Sequence, residues 1–341
     1  MPCTPAPPGY FVGAAGALAA TPAPIGTYVD AFGATSAVAC PPGTTTLSVA
    51  SASVDACVSA DSTPPTIGYT VNGVFPVVPD GGNGWYVGDM TVDWTVTEDE
   101  SPDSLLFDGC VDTTITSDQP ATNATCAATS DGGTAGPVVV TIARDATAPG
   151  IAWTGGPAAG TTHRFGSVPP APTCSAVDSL SGGDGCTVTG FATTVGTHTL
   201  TATARDRAGN VTVEQRSYTV SPYALAGFHQ PVDMGSVLNT VKSGSTVPFK
   251  FEVFSGPTEL TDTAVIGSFT WANIACTALG AAATEDAIEQ VTSGTTDLRY
   301  DTTAGRFVQN WQTPRNRAGA CFRVTMTTVD GSSLVAYFKL K

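Results

Sequence analysis

Apolar and polar residues alternate with a period of two along much of this 341-residue chain, which is the signature of half-buried β-strands. Val92, Trp94 and Val96 share one face of the first clear run. Val138, Val140 and Ile142 mark a second run, and His198, Leu200, Ala202 and Ala204 a third. In a fourth, Val247, Phe249, Phe251 and Val253 face inward while Lys250 and Glu252 face outward. Turn-forming clusters separate the runs: Asp131-Gly132-Gly133, Asp206-Arg207-Ala208-Gly209, Lys242-Ser243-Gly244 and Asp330-Gly331. Short strands joined by such turns predict an all-β chain of tandem antiparallel β-sandwiches.

The cysteines sharpen this reading. Eight of the nine fall in close sequential pairs, which predicts the disulfides Cys40–Cys57, Cys110–Cys126, Cys174–Cys186 and Cys276–Cys321. Cys3 is left unpaired. Paired cysteines require an oxidising compartment, so the chain is expected outside the cell, secreted or on its surface. The pairs also suggest the division 1–60, 61–148, 149–222 and 223–341, with short proline-bearing connections and an elongated arrangement. Residues 1–60 repeat a Pro-Gly-Tyr/Thr theme, in CTPAPPGYFVGAAGALAA, TPAPIGTYVDAFGATSAVAC and PPGTTTLSVASASVDAC. Units too short to bury a core alone stack on one another.

Residues 61–148 and 149–222 read as two copies of one module. Asp108-Gly109-Cys110 parallels Asp184-Gly185-Cys186, and Trp94 to Ser101 parallels Cys174 to Ser181. Gly84-Trp85-Tyr86, Thr91-Val92-Asp93-Trp94, the acidic turn from Glu98 and Cys110 resemble bacterial immunoglobulin-like repeats. The last segment resembles the PxKF domain, on Pro248-Phe249-Lys250-Phe251, the stretch from Gly227, the Asn310-Trp311 strand and Cys321. The first resembles short cysteine repeats of ephrin-receptor type. These resemblances imply the C-terminal part of a large secreted bacterial protein.

Composition narrows the partners. The net charge of −15 argues against nucleic acid and anionic membrane surfaces. No stretch is long and apolar enough to span a bilayer as a helix. The start, MPCTPAPPGY, lacks a basic, apolar leader, and with Cys3 it suggests that further modules of the same polypeptide lie upstream.

Little in the chain reads as chemistry. His163, His198 and His229 are scattered, and no nucleophile elbow, HExxH, P-loop or paired CxxC is present. Glu98-Asp99-Glu100, with Asp103 and Asp108, reads as a solvated acidic loop. Asp145 and Asp206 fall where calcium is held in some tandem modules, but no calcium-loop spacing accompanies them. The expectation is therefore no catalytic, cofactor or metal site, and folding without calcium. Trp85, Tyr86, Trp153 and Trp271 are exposed-aromatic candidates, while Trp94 and Trp311 read as core. The function implied is a non-catalytic extracellular structural or adhesive segment. The alternatives are a glycan-binding accessory region of a secreted hydrolase, or a subunit of an extracellular filament or sheath. Partners would be upstream modules, surface glycans or neighbouring copies, with neither nucleic acid nor membrane insertion.

Overall fold

The computed structural model describes residues 4–278, 283–288, 291–293 and 295–341, so Cys3 lies outside the described residues. Among these residues the regular structure is strand, apart from three single-turn 3-10 helices. The chain falls into two compact units. Unit 1 holds Met1–Ala148, Asp178–Gly182 and Asp206–Asn210; unit 2 holds Pro149–Val177, Gly183–Arg205 and Val211–Lys341. All four disulfides are closed: Cys40–Cys57, Cys110–Cys126, Cys174–Cys186 and Cys276–Cys321.

Unit 1 opens with a stack of small turns. Tyr10–Phe11 pairs with Thr21–Pro22, Thr27–Tyr28 with Val38–Ala39, and Thr44–Thr46 with Cys57–Ser59. The period is the 17-residue separation of Cys40 and Cys57, not the uneven units that the Pro-rich phrases suggest. Gly9, Gly26 and Gly43 recur with φ of 89°, 83° and 81°. Hydrogen bonds recur with them. Tyr10, Thr27 and Thr44 donate to Pro7, Pro24 and Pro41, and Val12→Ala34 is repeated as Val29→Ser51. Gly33→Ala6 is repeated as Ala50→Ala23, both at 2.8 Å. A Cβ on Gly9 would stand 2.3 Å from the Ala50 carbonyl oxygen, so the stack closes only over glycine there. Ala6 and Ala23 occupy the repeat position that Cys40 and Cys57 occupy later, and both are buried.

The rest of unit 1 is chiefly a two-layer sandwich. One sheet is Thr66–Val71, Met90–Thr97 and Thr113–Ile115, with the middle strand central. The other is Leu106–Gly109, Gln119–Ser130 and Gly133–Arg144, again with the middle strand central. Val71, Met90, Val92, Ile115, Val140 and Ile142 fill the space between them, with Trp94 at the margin. Tyr86 belongs to this core and is only 4% exposed. It is therefore not the exposed aromatic expected from Gly84-Trp85-Tyr86. Its backbone lies against the end of the Gly133–Arg144 strand, donating to Ala143 and accepting from Asp145, which draws the ring inward.

Unit 2 begins with a leaner sandwich, built on Gly196–Asp206 and Val211–Ser221, of which Asp206 itself falls in unit 1. Its fully buried core is Leu200, Tyr218 and Val220, with Trp153, Phe165 and Phe191 partly buried against it. Small cores gain most from cross-links, and Cys174–Cys186 ties the Thr173–Val177 and Gly183–Thr189 strands together.

The last part of unit 2 has the larger core. One sheet runs Ala224–His229, Thr246–Ser255, Arg306–Gln312, Arg299–Asp301. The other runs Ile266–Ile274, Cys321–Thr328, Ser333–Leu340, Val237–Val241, Thr284–Ala287. Val247, Phe249, Phe251 and Val253 are all fully buried, as their alternation requires. They pack with Phe307, Trp311, Met326 and Phe338, each such side chain stabilising by roughly 1.5–3 kcal/mol. The pairing is not purely antiparallel. Val237–Val241 runs parallel to both Thr284–Ala287 and Ser333–Leu340, and Thr162–Arg164 runs parallel to Val211–Ser221. The Lys242–Gly244 turn therefore carries the chain from one sheet to the other and makes no hairpin.

Candidate functional site

The most concentrated chemistry lies in unit 1, where Asp145, Asp178 and Asp206 each bring a carboxylate oxygen within 4.8 Å of the other two. Asp145 and Asp206 are buried and Asp178 is half-buried. Each sits where a strand ends, so its backbone is fixed and its side chain turns back on the loop that follows. Asp145 accepts from the Thr147 amide at 3.1 Å and the Ser181 amide at 3.1 Å. Asp178 accepts from the Leu180 and Gly182 amides at 3.0 and 2.8 Å. Asp206 accepts from the Gly209 and Asn210 amides at 2.7 and 2.8 Å and from the Asn210 side chain at 2.9 Å. Asn210 also donates to the Asp145 carbonyl at 2.9 Å. The Gly82 amide reaches the Ala208 carbonyl at 2.7 Å, and a Cβ on Gly82 would stand 2.7 Å from the Arg207 carbonyl oxygen.

The same plan is built once more in unit 1, with one decisive difference. Asp61-Ser62-Thr63 parallels Asp145-Ala146-Thr147, and the Asp61 carboxylate accepts from the Thr63 amide as Asp145 does from Thr147. Glu98 stands where Asp178 does, at the end of the following strand. At the hairpin end, however, Asp206 is matched by Ser130, whose hydroxyl donates to Asp61 at 2.9 Å. Ser101 donates to Asp61 as well, and the Gly132 amide does so at 2.6 Å. The Ser101 hydroxyl above all holds the Asp61 carboxyl down at about 2. Glu98 is lowered too, by the Ser130 hydroxyl first and then by backbone amides. A hydroxyl can donate its one proton to an acidic neighbour, as Ser130 does to Asp61; a third carboxylate cannot, and three carboxylates this close repel one another. An all-oxygen donor set of this kind suits a hard divalent cation such as calcium, which takes six to eight oxygens. Asp145, Asp178 and Asp206 would hold it, with nearby carbonyls or water completing the shell.

Close by, the buried guanidinium of Arg144 binds Asp118 at 2.6 Å and Asp89 at 2.9 Å. Asp118 also accepts from the Ala146 amide and the Thr147 hydroxyl, and the Thr147 hydroxyl is the largest cause of its lowered pKa.

No family model and no curated protein matches the chain. Among solved structures, protocadherin gamma B2 extracellular cadherin domains 3–6 match over 82% of this chain and 79% of theirs, at 12% identity and a TM-score of 0.23. Sidekick-1 immunoglobulin domains 1–4 match over 84% and 69%, at 12% identity and a TM-score of 0.20. Drosophila OTK extracellular domains 3–5 match over 79% and 100%, at 11% identity and a TM-score of 0.21. The fold class is all-β, in tandem sandwiches.

The other sequence candidates are dispersed. The acidic run forms no metal-like group among the described residues. Glu98 instead accepts from the Glu100 and Ser101 amides, Glu100 from the Ser62 amide, and Asp108 is exposed. His163 meets the Thr161 hydroxyl at 2.9 Å and His198 the Thr194 carbonyl at 2.6 Å, and both rings rest against Tyr218, at 6.2 and 5.4 Å between centres; His229 approaches Glu252 at 3.3 Å. Trp153 is half-buried, with Arg216 stacked 4.1 Å above it and its indole N–H donated to Glu214. Trp85 is half-buried, Trp311 is buried and Trp271 is 51% exposed. Asp178 is the member of the carboxylate cluster that the sequence does not single out. Its one signal is its match to Glu98 in the two-copy alignment.

Proposed function

We propose that this chain is a non-catalytic extracellular segment with a structural and adhesive role, belonging to a secreted or surface-displayed bacterial protein. The observation that carries the reading is where the disulfides fall: each lies within one predicted segment, at sequence separations of 17, 16, 12 and 45. Residues 1–60 form a stacked, ephrin-receptor-like spacer, 61–148 and 149–222 are immunoglobulin-like modules, and 223–341 is a PxKF-like terminal module. Cross-links of this kind constrain the unfolded chain and so suppress the local opening that proteases exploit. No enzymatic role is assigned, because His163 and His198 are engaged with the Thr161 hydroxyl and the Thr194 carbonyl and the acidic groups with backbone amides.

Timed proteolysis of the oxidised and the reduced, alkylated chain tests this. The oxidised chain should survive far longer, with cuts confined to exposed loops. Equal lifetimes would remove the structural argument. Turnover of a polysaccharide, peptide or ester substrate that one substitution in this chain abolishes would overturn the non-catalytic half.

A further inference from the structure

We propose that the terminal part of unit 2 carries a binding site for a neutral saccharide, built around Trp271. It goes beyond the structural role above and does not depend on it.

The site is a recess of about 450 Å³, within the size range of small-ligand pockets. It opens where two strands of different sheets come together. Trp271 lies on Ile266–Ile274, at the outer edge of one sheet. Gln309, Asn310, Trp311 and Gln312 lie on Arg306–Gln312 in the other. The neighbouring strand, Arg299–Asp301, pairs only with Arg306, Phe307 and Val308. Trp271 and Trp311 are 6.3 Å apart, centre to centre, inclined at 48°. Trp311 is buried beneath, while Trp271 remains half open to solvent.

Three features point to a sugar. The first is the exposed indole: a pyranose ring has an apolar C–H face that can lie on an aromatic surface. The second is the absence of charge. Among the described residues, every side chain lining the recess is aromatic, amide or hydroxyl, as in Gln309, Asn310, Gln312 and Thr296. Planar amides of this kind can donate to and accept from hydroxyl groups, and the lining offers no cation to hold a sulfate or uronate. The third feature is unspent hydrogen-bonding capacity. Asn310 is 2% exposed and Trp311 is 1% exposed. The Asn310 amide nitrogen donates to the Thr295 carbonyl at 2.6 Å. Yet among the described residues its carbonyl oxygen pairs with no protein group, and neither does the Trp311 indole N–H. Buried groups without partners are rare and call for an explanation. Here they offer one acceptor and one donor beside an aromatic platform, suited to a sugar hydroxyl that displaces water.

Titration of the full-length, oxidised chain tests the assignment, read by tryptophan fluorescence and calorimetry. The probes are five neutral hexasaccharides: cellohexaose, laminarihexaose, maltohexaose, mannohexaose and N-acetylchitohexaose. At least one should bind. Trp271→Ala should weaken that binding by about tenfold or more, the loss of roughly 1.4 kcal/mol. Trp271 is exposed, so the variant should melt as the parent does. Gln312→Ala, also at an exposed position, should weaken binding by a smaller factor, and Trp153→Ala should leave it unchanged. The proposal is overturned if none of the five binds at millimolar concentration, if binding survives Trp271→Ala, or if a proline-rich decapeptide binds at Trp271 and no saccharide does. None of these outcomes would touch the proteolysis result that tests the structural role.

Discussion

If Ala6 and Ala23 stand where Cys40 and Cys57 stand one or two turns later, the pair Ala6→Cys, Ala23→Cys should form a fifth disulfide. The geometry is set by the native bond, whose Cα atoms are 5.7 Å apart across a 17-residue separation. The recurring Gly33→Ala6 and Ala50→Ala23 hydrogen bonds place the two alanines one turn apart in the stack. Closing a loop of that size should stabilise by about 3 kcal/mol in the chain-entropy model. Both alanines are buried, so the added sulfur atoms will offset part of this; overpacking a filled site costs about 1–3 kcal/mol. The expected net effect is stabilisation by about 0–2 kcal/mol. The assay would use a Cys3→Ser background, to remove a competing thiol. Non-reducing peptide mapping would read the new linkage, and chemical unfolding of oxidised and reduced samples would read its effect. Free thiols at positions 6 and 23, under conditions where Cys40–Cys57 forms, would show that the alanines do not occupy the staple position. The 17-residue stack would then be wrong in its first turn.

Four further outcomes follow from particular groups. Replacing Cys276 and Cys321 by alanine opens a 45-residue separation and should cost about 4 kcal/mol, against about 3 kcal/mol for Cys174 and Cys186; calorimetry of the two variants should reproduce that order. Asp61 is depressed from 3.8 to about 2, so its stabilising contribution is present above about pH 4 and is lost as pH falls toward 2. The difference in melting temperature between the parent and Asp61→Asn should therefore hold steady at neutral pH and shrink below about pH 4; a constant difference down to pH 2 would contradict the assigned hydrogen bonds. At the Asp145–Asp178–Asp206 cluster, millimolar calcium should raise the melting temperature and a chelator should reverse the rise, because a ligand of the native state stabilises by mass action. Asp206→Ser, which copies Ser130, should abolish that calcium response, and an unchanged response would move the ion elsewhere.

Much of this fold was legible because strand alternation is a local property. The inward set Val247, Phe249, Phe251 and Val253 could be named from spacing alone, and Trp311 from the same logic. Tyr86 could not, because its burial comes from an irregular segment laid against Ala143 and Asp145, where no period applies. The parallel pairing of Val237–Val241 with two strands far along the chain was equally hidden, since strand direction is fixed by long-range connections and leaves no local mark. The 17-residue period was masked because alanine fills the cysteine position in the early turns. Asp145 and Asp206 could be suspected from their places at strand ends. Their convergence with Asp178 depends on loops brought together in three dimensions.

The four disulfides also set how far the chain can lengthen under tension. Residues between two bonded cysteines cannot be drawn out when their module opens. The Cys276–Cys321 bond spans 45 residues, which withholds roughly 150 Å of extended chain at about 3.4 Å per residue. The Cys174–Cys186 bond spans 12 and withholds roughly 40 Å. A pulled molecule would thus yield in short steps while oxidised and in longer ones once reduced, so the redox state of its surroundings would fix its reach.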